Sequence, residues 1–239
     1  MIPMSRIHLI SGPRNISTAL MYAFGNRADM SVVDEPFYAH YLDSHPDIMH
    51  PGRDEILAAM STDYQHIVDT SISADYETPH VFFKNMAHHL DGTDWSFLSE
   101  VQNVFLIRDP AQLIASFAQV ISEPTLLDIG LGLEWDLFSH VRSLGHTPIV
   151  IDSGEVLANP ADQLSRLCDR LDIPFDEAML TWTPGPRAED GVWAPYWYAN
   201  VHASSGWERQ PTSRRPFPER LRPLWEEAMV YYERLSAWV

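Results

Sequence analysis

A short segment near the start of the chain, Gly12-Pro13-Arg14-Asn15-Ile16-Ser17-Thr18, combines residue types that bind anions. It lies between an apolar run at 6–11 and a helical pattern at 17–27, with Ser17 suited to the N-cap of that helix. In such a loop, successive backbone N–H groups and the positive end of the helix point at one anion. The kinase motif G-x-x-x-x-G-K-[ST] is not matched, because Ser17 and Thr18 stand where Gly and Lys are required.

A second candidate site pairs Arg108, at the end of the apolar run NVFLIR, with Ser116, eight residues later in a helical pattern. An arginine offers a planar fork of donors for a phosphate, and a nearby hydroxyl adds another donor. Taken alone, Arg108 could equally form an ion pair at a strand end, and Ser116 could be a small packing residue. Asp109 as a Mg²⁺ ligand is disfavoured by the missing loop lysine, and Asp109-Pro110 is typical of a helix start.

The third group of candidates could move a proton. Lys84 ends the apolar run PHVFFK, and His88 follows four residues later. A histidine with a pKa near ~6.5 can accept a proton at neutral pH. Glu35, in VVDEPF, is a competing base, although Asp34 and Glu35 could instead cap a helix after Pro36. His88 is taken first, and Glu35 stays open.

The elements that must position these residues alternate between strands and helices. Apolar runs predict strands at 6–11, 30–35, 79–84, 103–108 and 147–152. Helical patterns lie at 17–27, 111–121, 131–145, 160–171 and 218–238, the last interrupted or bent near Pro223. This alternation predicts a single α/β domain over 1–239, a three-layer sandwich with a central parallel sheet of about five strands.

Composition limits the function further. A net charge of −17 argues against nucleic-acid binding, and it requires any anionic ligand to sit in a local positive island. No run of eighteen apolar residues or signal peptide is recognised, so no membrane association is expected. The lone Cys168 suits a reducing cytoplasm. Zinc-type Cys/His spacing is lacking, so no metal is expected.

The segment 183–216 stands apart, because it is rich in Pro, Gly, Trp and Tyr and has no steady period. A loop this long in a compact domain is usually functional or disordered, and its aromatic content argues against disorder. Its stretch VWAPYWY (192–198) is either the wall of an acceptor pocket for an aromatic or cationic substrate, or a satellite hydrophobic cluster.

The loop PRNIST resembles the 5′-phosphosulfate loop of sulfotransferases that use 3′-phosphoadenosine 5′-phosphosulfate (PAPS). That loop is typically P-K-S-G-T-T in cytosolic members and P-R-S-G-T-T in tyrosylprotein members. Arg14 takes the place of the basic residue, and Ser17 and Thr18 that of the paired hydroxyls. Ile16 stands where the family has glycine. Since a β-branched residue disfavours positive φ, we expect a reshaped loop.

Three further segments resemble the same family. In QNVFLIRDPAQLIASFAQV, Arg108 and Ser116 match the 3′-phosphate signature. HVFFKNMAHHL is similar to the strand that ends in a lysine and is followed by a catalytic histidine, with Lys84 in register and the histidine displaced to His88. Tyrosylprotein members have a glutamate at about the position of Glu35.

The late segment HASSGWERQPTSRR resembles, more weakly, the Gly-rich segment that closes over the nucleotide. The resemblance implies that Ser205, Gly206 and Trp207 contact the adenine or the 3′-phosphate. Positive charge would come from Arg209, Arg214 or Arg215, which follow in the same segment.

The resemblance implies a P-loop nucleotide-hydrolase-like fold and in-line transfer of a sulfuryl group from PAPS to a hydroxyl or amine of a small-molecule acceptor. His88 or Glu35 would take the proton, and Arg14 and Lys84 would stabilise the developing charge without a metal. Two alternatives remain open. One is a P-loop kinase or other nucleotide phosphotransferase. The other is a non-catalytic nucleotide-binding module, because sulfotransferase-like domains also occur fused to other enzymes, aminotransferases among them.

Overall fold

A sheet of five parallel strands lies at the centre of the molecule. The computed structural model describes residues 5–207 and 215–239. The strands are β1 (Ser5–Ser11), β2 (Met30–Asp34), β3 (His80–Met86), β4 (Gln102–Ile107) and β5 (Ile149–Asp152), in the spatial order β2-β3-β1-β4-β5. The predicted α/β sandwich with a parallel five-stranded sheet is confirmed. From β1 the chain runs to the edge strand β2, returns to β3 between β2 and β1, and then crosses to β4 on the other side of β1. The carboxyl ends of β1 and β4 therefore meet at a switch point, where ligands bind in such sheets.

Helices cover both faces of this sheet. They are α1 (Ser17–Gly25), α2 (Tyr38–Ser44), α3 (Arg53–Ala59), α4 (Tyr64–Ile67), α5 (Pro110–Phe117), α6 (Leu126–Ile129), α7 (Leu131–Ser143), α8 (Ser153–Ala158), α9 (Pro160–Arg170), α10 (Ala194–Trp197), α11 (Ala199–His202) and α12 (Arg222–Ser236). A π-helical turn follows α4 at Val68–Ile72, and 3₁₀ turns lie at Ala87–Leu90, Ser96–Glu100, Glu177–Leu180 and Glu219–Leu221.

The alternation of side chains along the strands divides the core in two. Leu9 and Leu106 point to a core shared with α1, α8 and α9. Their neighbours on the same strands, Ile10 after Leu9 and Phe105 before Leu106, point to the opposite face, into a core shared with α5, α7 and α12. The central strands β1, β3 and β4 are therefore buried on both faces along most of their length, which explains why they read as apolar runs.

One polar network is buried inside the sheet. His8 on β1 lies between Asn85 of β3 and Asn103 of β4, with ring-nitrogen contacts of 2.8 Å and 3.3 Å to their side chains. Burial lowers the pKa of His8 to about 4, so the ring is neutral at pH 7. The network links the three central strands close to the point where β1 enters the loop at Gly12.

One helix end differs from the sequence-based expectation and another agrees with it. Ser17 is the first residue of α1 and not its N-cap; that position belongs to Ile16, and no side chain caps the helix. The interruption predicted near Pro223 is present: the 3₁₀ turn Glu219–Leu221 ends just before α12, and Pro223 lies in the first turn of that helix. A proline fits the first turn of a helix, where its missing N–H has no partner to lose.

Candidate functional site

The loop after β1 approaches the start of α7 very closely. A Cβ placed on Gly12 would lie 2.4 Å from the carbonyl oxygen of Ile129, and Gly130 packs against the Cα of Gly12 from the same side. Real side chains never approach a backbone atom so closely, so this position requires glycine. Gly12 therefore lies beneath the loop and sets its path, while Pro13 to Thr18 form part of a cavity wall.

The reshaping expected at Ile16 is present. Ile16 has a φ of −93°, and the left-handed conformation falls instead on Arg14, with a φ of 54°. Asn15 fixes the loop from both ends of its amide: Nδ2 donates to the carbonyl of Leu106 at 2.9 Å, and Oδ1 accepts from the N–H of Ile16 at 3.0 Å. The loop is thereby held against β4, and a glycine at position 16 is not needed.

Three arginines from separate parts of the chain converge beside this loop. The Arg14 Nε and the Arg215 Nη1 both donate to Ser116 Oγ at 3.4 Å, and Arg108 donates to the carbonyl of Arg14. Burial lowers the pKa of Arg14, and the nearby charge of Arg215 lowers it further. None of the three forms a salt bridge with a carboxylate within residues 5–207 and 215–239. This group, the arginine cluster, is the positive island that the acidic composition required.

Asp109, between Arg108 and α5, acts as a helix cap. Its Oδ1 accepts from the N–H of Gln112 at 3.0 Å, and Pro110 occupies the first turn of α5. This is the helix start that the sequence indicated. The carboxylate of Asp109 is therefore engaged with its own helix.

A cavity of about 440 Å³ opens at the carboxyl ends of the strands and joins the loop to the other predicted residues. Its wall includes Arg14, Arg108 and Ser116 on one side, and Glu35, Lys84, His88 and His89 on another. The candidates for anion binding and those for proton transfer thus face one cavity.

Lys84 is buried at the end of β3 and is fully paired. Its Nζ donates to Asp34 Oδ1 at 3.0 Å and to the hydroxyl of Tyr198 at 2.5 Å, and it also donates to Glu35 Oε1. An ammonium group has three N–H donors, so all three are used. The neighbouring carboxylates of Asp34 and Glu35 outweigh the effect of burial and raise the pKa of Lys84.

Asp34 and Tyr198 belong to this centre, although sequence reasoning did not place them there. The hydroxyl of Tyr198 donates to Asp34 at 2.7 Å and accepts from the Trp193 indole at 2.9 Å. Asp34 also accepts from the backbone N–H of Gly191 at 3.2 Å. No side chain caps α2, so Asp34 and Glu35 are not helix caps. The pairing of Asp34 with Lys84 across β2 and β3 was accessible from sequence only once strand register was known.

Glu35 combines an unusual backbone with an unusual pKa. Its φ is 43°, a left-handed value that is uncommon outside glycine and clusters at functional sites. Burial raises the pKa of Glu35 to about 7; Lys84 opposes this shift and Asp34 adds to it. A carboxyl group in this state exchanges protons near neutral pH.

The two histidines after β3 are neutral and buried. Burial lowers the pKa of His88 to about 3 and that of His89 well below its ordinary value. The Nδ1 atoms of both rings are buried and have no hydrogen-bond partner in the described part of the chain. His89 stacks on Tyr38 at 4.2 Å between ring centroids, and His88 meets Tyr41 edge-on at 5.1 Å.

The late aromatic segment closes one side of the cavity. Gly206 forms an antiparallel bridge with Thr181, and the Trp207 indole donates to the carbonyl of Met179 at 2.9 Å. Gly206 and Trp207 line the cavity; Ser205 does not, since it is exposed and its carbonyl accepts from the N–H of Trp182 at 3.0 Å. Arg209 and Arg214 lie outside the described residues.

The stretch 192–198 contributes both to the hydrophobic core and to the wall of the cavity. Trp193 is buried in the core and meets Tyr38 edge-on at 5.1 Å. Trp197 and Tyr198 line the cavity. Tyr196 is half exposed over Gly52, at the outer surface.

Neither a metal-binding group nor a membrane-spanning helix is present in residues 5–207 and 215–239. No group of three His, Cys, Asp or Glu side chains in these ranges is arranged to hold a metal ion. No helix in them combines the length and apolar character needed to cross a membrane.

Together, the fold and this cavity define a parallel α/β protein with an arginine cluster at the carboxyl end of its central strand. A family model described as "Sulfotransferase domain" matches residues 5–238, and the chain belongs to this family. Two solved structures share the fold: the sulfotransferase domain from the curacin biosynthetic pathway (15% identity, TM-score 0.52, 98% of both chains) and that from the Synechococcus PCC 7002 olefin synthase (15% identity, TM-score 0.51, 94% of both chains).

Two relatives from Arabidopsis thaliana are more similar in sequence. Branched-chain-amino-acid aminotransferase-like proteins 1 and 2 are 37% and 36% identical over 234 and 233 residues. These alignments cover 98% and 97% of the chain but only 42% and 41% of the relatives. The chain therefore spans about two fifths of the length of these relatives.

Proposed function

We propose that this protein is a sulfotransferase that transfers a sulfuryl group from PAPS to a hydroxyl or amine of a small-molecule acceptor. The observation that carries the proposal is that one cavity joins the arginine cluster to the buried pair of Glu35 and Lys84. The first fits an anionic nucleotide, and the second fits proton removal from an acceptor.

The nucleotide-binding side of the cavity has the donors that PAPS requires. The first N–H groups of α1 have no side-chain cap, so they remain available to the 5′-phosphosulfate beside Arg14, Ser17 and Thr18. Arg108 and Ser116 would hold the 3′-phosphate, with Arg215 beside them. Gly206 and Trp207 would contact the adenine. When bound, PAPS supplies an activated sulfuryl group on a leaving nucleotide.

Glu35 is the base in this proposal. A general base works best when its pKa lies near the working pH, and Glu35, with a pKa of about 7, meets that condition. His88, with a pKa of about 3, is a much weaker base, although it lines the same cavity. Its neutral ring is better suited to holding the acceptor by a hydrogen bond.

Arg14 and Lys84 provide positive charge where negative charge grows on the sulfuryl and bridging oxygens. Arg14 is the more available of the two, since it faces the cavity without a carboxylate partner in the described residues. Lys84 also holds Asp34 and Glu35 in place, and it reaches an oxygen of the reacting group by releasing one of its three present partners. We place this activity in the cytoplasm, because the lone cysteine is buried and a reducing environment suits it.

Binding of 3′-phosphoadenosine 5′-phosphate (PAP), measured by calorimetry, tests the nucleotide site. We expect PAP to bind and ATP with Mg²⁺ to bind far more weakly. Arg14→Ala and Arg108→Ala should each weaken PAP binding at least about tenfold, because each removes a charged hydrogen-bond donor. Arg166→Ala is the matched control, since Arg166 is exposed and pairs with Asp162 on the surface. PAP affinity unchanged by both site variants, or stabilisation by ATP alone, contradicts the proposal.

A further inference from the structure

The side of the cavity away from the arginine cluster carries a negative balance of charge. The positive charge of Lys84 is matched by Asp34 and Glu35, which together exceed it by one carboxylate when both are ionised. Asp128 adds another carboxylate to the same wall. Its charge acts on two neighbours there: it adds to the burial effect that raises the pKa of Tyr41, and it opposes the burial effect that lowers the pKa of His50.

Asp128 retains an oxygen for a ligand. Its Oδ2 accepts from the N–H and the hydroxyl of Thr125, both at 2.7 Å, in the capping box of α6. Its Oδ1 has no hydrogen-bond partner among the described residues, and the residue is only partly buried. No basic side chain in residues 5–207 or 215–239 forms a salt bridge with it.

The same side has aromatic faces and unsatisfied imidazoles. Tyr38, Tyr41 and Trp197 line it, and aromatic faces attract cations. His88 and His89 are 6% and 1% exposed, line the cavity and have Nδ1 atoms without a partner in the described part of the chain. Neutral rings offer hydrogen bonds without adding positive charge.

Among the described residues, two positive groups lie near this side. Lys84 is already paired. Arg53 does not line the cavity; its charge adds to the burial effect that lowers the pKa of His50. Its guanidinium donates to the carbonyls of Leu42, His45 and Ile48.

We propose that the acceptor is a small hydroxylated ammonium compound, whose cationic group lies between Asp128 and the aromatic faces of Tyr41 and Trp197 while its hydroxyl faces Glu35. This inference rests on the proposed function and names its substrate class. An anionic acceptor would meet the carboxylates of Asp128 and Glu35, and a neutral one would leave the negative side uncompensated.

The reaction balances with these groups alone. Glu35 takes the proton from the hydroxyl as its oxygen bonds to sulfur, and the bond from sulfur to the 5′-phosphate oxygen breaks. The electron pair of that bond leaves with the nucleotide as PAP. The product is a zwitterion, a sulfate ester that keeps its ammonium group, and the proton on Glu35 passes to solvent.

Matched pairs of acceptors test the charge preference. Choline is compared with 3,3-dimethyl-1-butanol, its neutral isostere, and tyramine with 4-ethylphenol, in PAPS turnover and in calorimetric binding to the PAP complex. We expect the cation of at least one pair to show kcat/KM and affinity about tenfold above its neutral partner. Equal or better use of the neutral partner in both pairs overturns the inference. Turnover with 3-(4-hydroxyphenyl)propionate, an anion, in preference to tyramine also overturns it.

Variants locate the preference. Asp128→Asn keeps an oxygen that can accept from Thr125 in the capping box of α6, so it should fold. It should reduce the ratio of kcat/KM for the cation to kcat/KM for its neutral partner at least about threefold. Asp136→Asn is the matched control, because Asp136 is an exposed carboxylate on α7 outside the cavity wall. If both variants keep the full preference, Asp128 is not the cation site and the inference fails. Failure of PAP itself to bind would instead contradict the proposed function, so the two failures are distinguishable.

Discussion

At the residue scale, the centre around Lys84 shows how a buried carboxyl group can be held ready to accept a proton. Asp34 stays close to Lys84 and Tyr198, while Glu35 shares the same ammonium from a left-handed backbone position. The charge of Asp34 is one of the causes that raise the pKa of Glu35. Asp34 is therefore a positioning residue, which acts on the proposed base through charge and through Lys84.

The pH dependence of the rate should report this coupling. A base must be deprotonated to work, so the rate should fall as the pH decreases through the pKa of Glu35, near 7. This fall in rate is the acidic limb of the pH profile. Asp34→Asn removes a neighbouring negative charge, which lowers the pKa of Glu35 and moves the acidic limb to lower pH by about one unit. The measurement is kcat/KM between pH 5.5 and 9. The control is Tyr22→Phe, which removes a hydroxyl that donates to Asp190.

Three results would contradict this assignment. An acidic limb that stays in place in Asp34→Asn means that Asp34 does not set the pKa of the base. A limb that survives in Glu35→Gln and disappears in His88→Gln means that the histidine is the base. A loss of kcat without any shift of the limb in Asp34→Asn would indicate a structural role only.

His8 gives a second prediction at this scale, this time for stability. Its pKa is lowered from 6.5 to about 4 in the folded protein, so the unfolded chain binds the proton more readily. The stabilising effect of the neutral ring is complete above pH 6.5 and is lost as the pH falls toward 4. Relative to His8→Gln, the wild type should lose about 1.4 kcal/mol of unfolding free energy per pH unit in that range.

Urea unfolding of both proteins at pH 8, 6.5 and 5.5 measures this difference. The comparison between variants cancels the other titrating groups, among them Glu35, whose raised pKa acts in the opposite direction. His8→Gln is expected to be the less stable protein at pH 8, because the contacts to Asn85 and Asn103 change. A stability gap that is the same at all three pH values would show that folding leaves the pKa of His8 unchanged.

At the scale of elements, the strands and helices that the sequence predicted best are those in which one periodicity of apolar residues dominates. All five strands and the helix at Pro160–Arg170 were found because they are apolar runs or strongly amphipathic. The apolar pattern predicted a helix over 111–121, but helix α5 ends at Phe117. Beyond it, the N–H groups of Val120 and Ile121 both donate to the carbonyl of Phe117, which forms a turn. The contacts of Lys84 with Asp34 and with Tyr198 join residues that are 50 and 114 positions apart, so spacing along the chain gave no signal for them.

The loop after β1 illustrates the same limit at a single position. The family glycine is replaced by Ile16, and the sequence indicated only that the loop must change shape. The structure shows that Arg14 takes the left-handed conformation while Ile16 packs against the core beside α1. The family pattern is therefore met by a different division of backbone angles.

The variant Ile16→Gly tests whether the loop needs a glycine at position 16 when Arg14 takes the left-handed conformation. Because Ile16 already has a negative φ, glycine relieves no strain; it removes buried apolar surface and adds backbone freedom. We expect a loss of about 1–2 kcal/mol in unfolding free energy and no gain in PAP affinity. The comparison variant is Ile16→Val, which keeps the branched side chain and should lose about half as much or less. Tighter PAP binding by Ile16→Gly would show that the isoleucine loop is strained after all.

At the scale of the whole molecule, both cores rest on the same sheet, and residues from both faces reach one cavity. We propose that residues 1–239 therefore act as one sulfotransferase-like domain. The charge distribution is the other property of this scale. The chain has a net charge of −17, yet three arginines from distant parts of the sequence come together: Arg14 and Arg215 donate to Ser116, and Arg108 donates to the carbonyl of Arg14. Composition predicted only that an anionic ligand would need such a positive island, and the fold determines which arginines form it.

The salt dependence of PAP binding shows whether the arginine cluster or the negative net charge of the chain dominates the electrostatic effect on the nucleotide. The arginines would contact PAP directly, whereas exposed charges farther away than the Debye length of about 10 Å at 0.1 M salt are largely screened. The local attraction should therefore dominate, and calorimetry should show affinity falling several-fold between about 0.05 and 0.3 M NaCl. Arg108→Ala should bind less tightly and respond less to salt. Were the net charge of −17 dominant, added salt would screen the repulsion and tighten binding, and the arginine cluster would lose its proposed role.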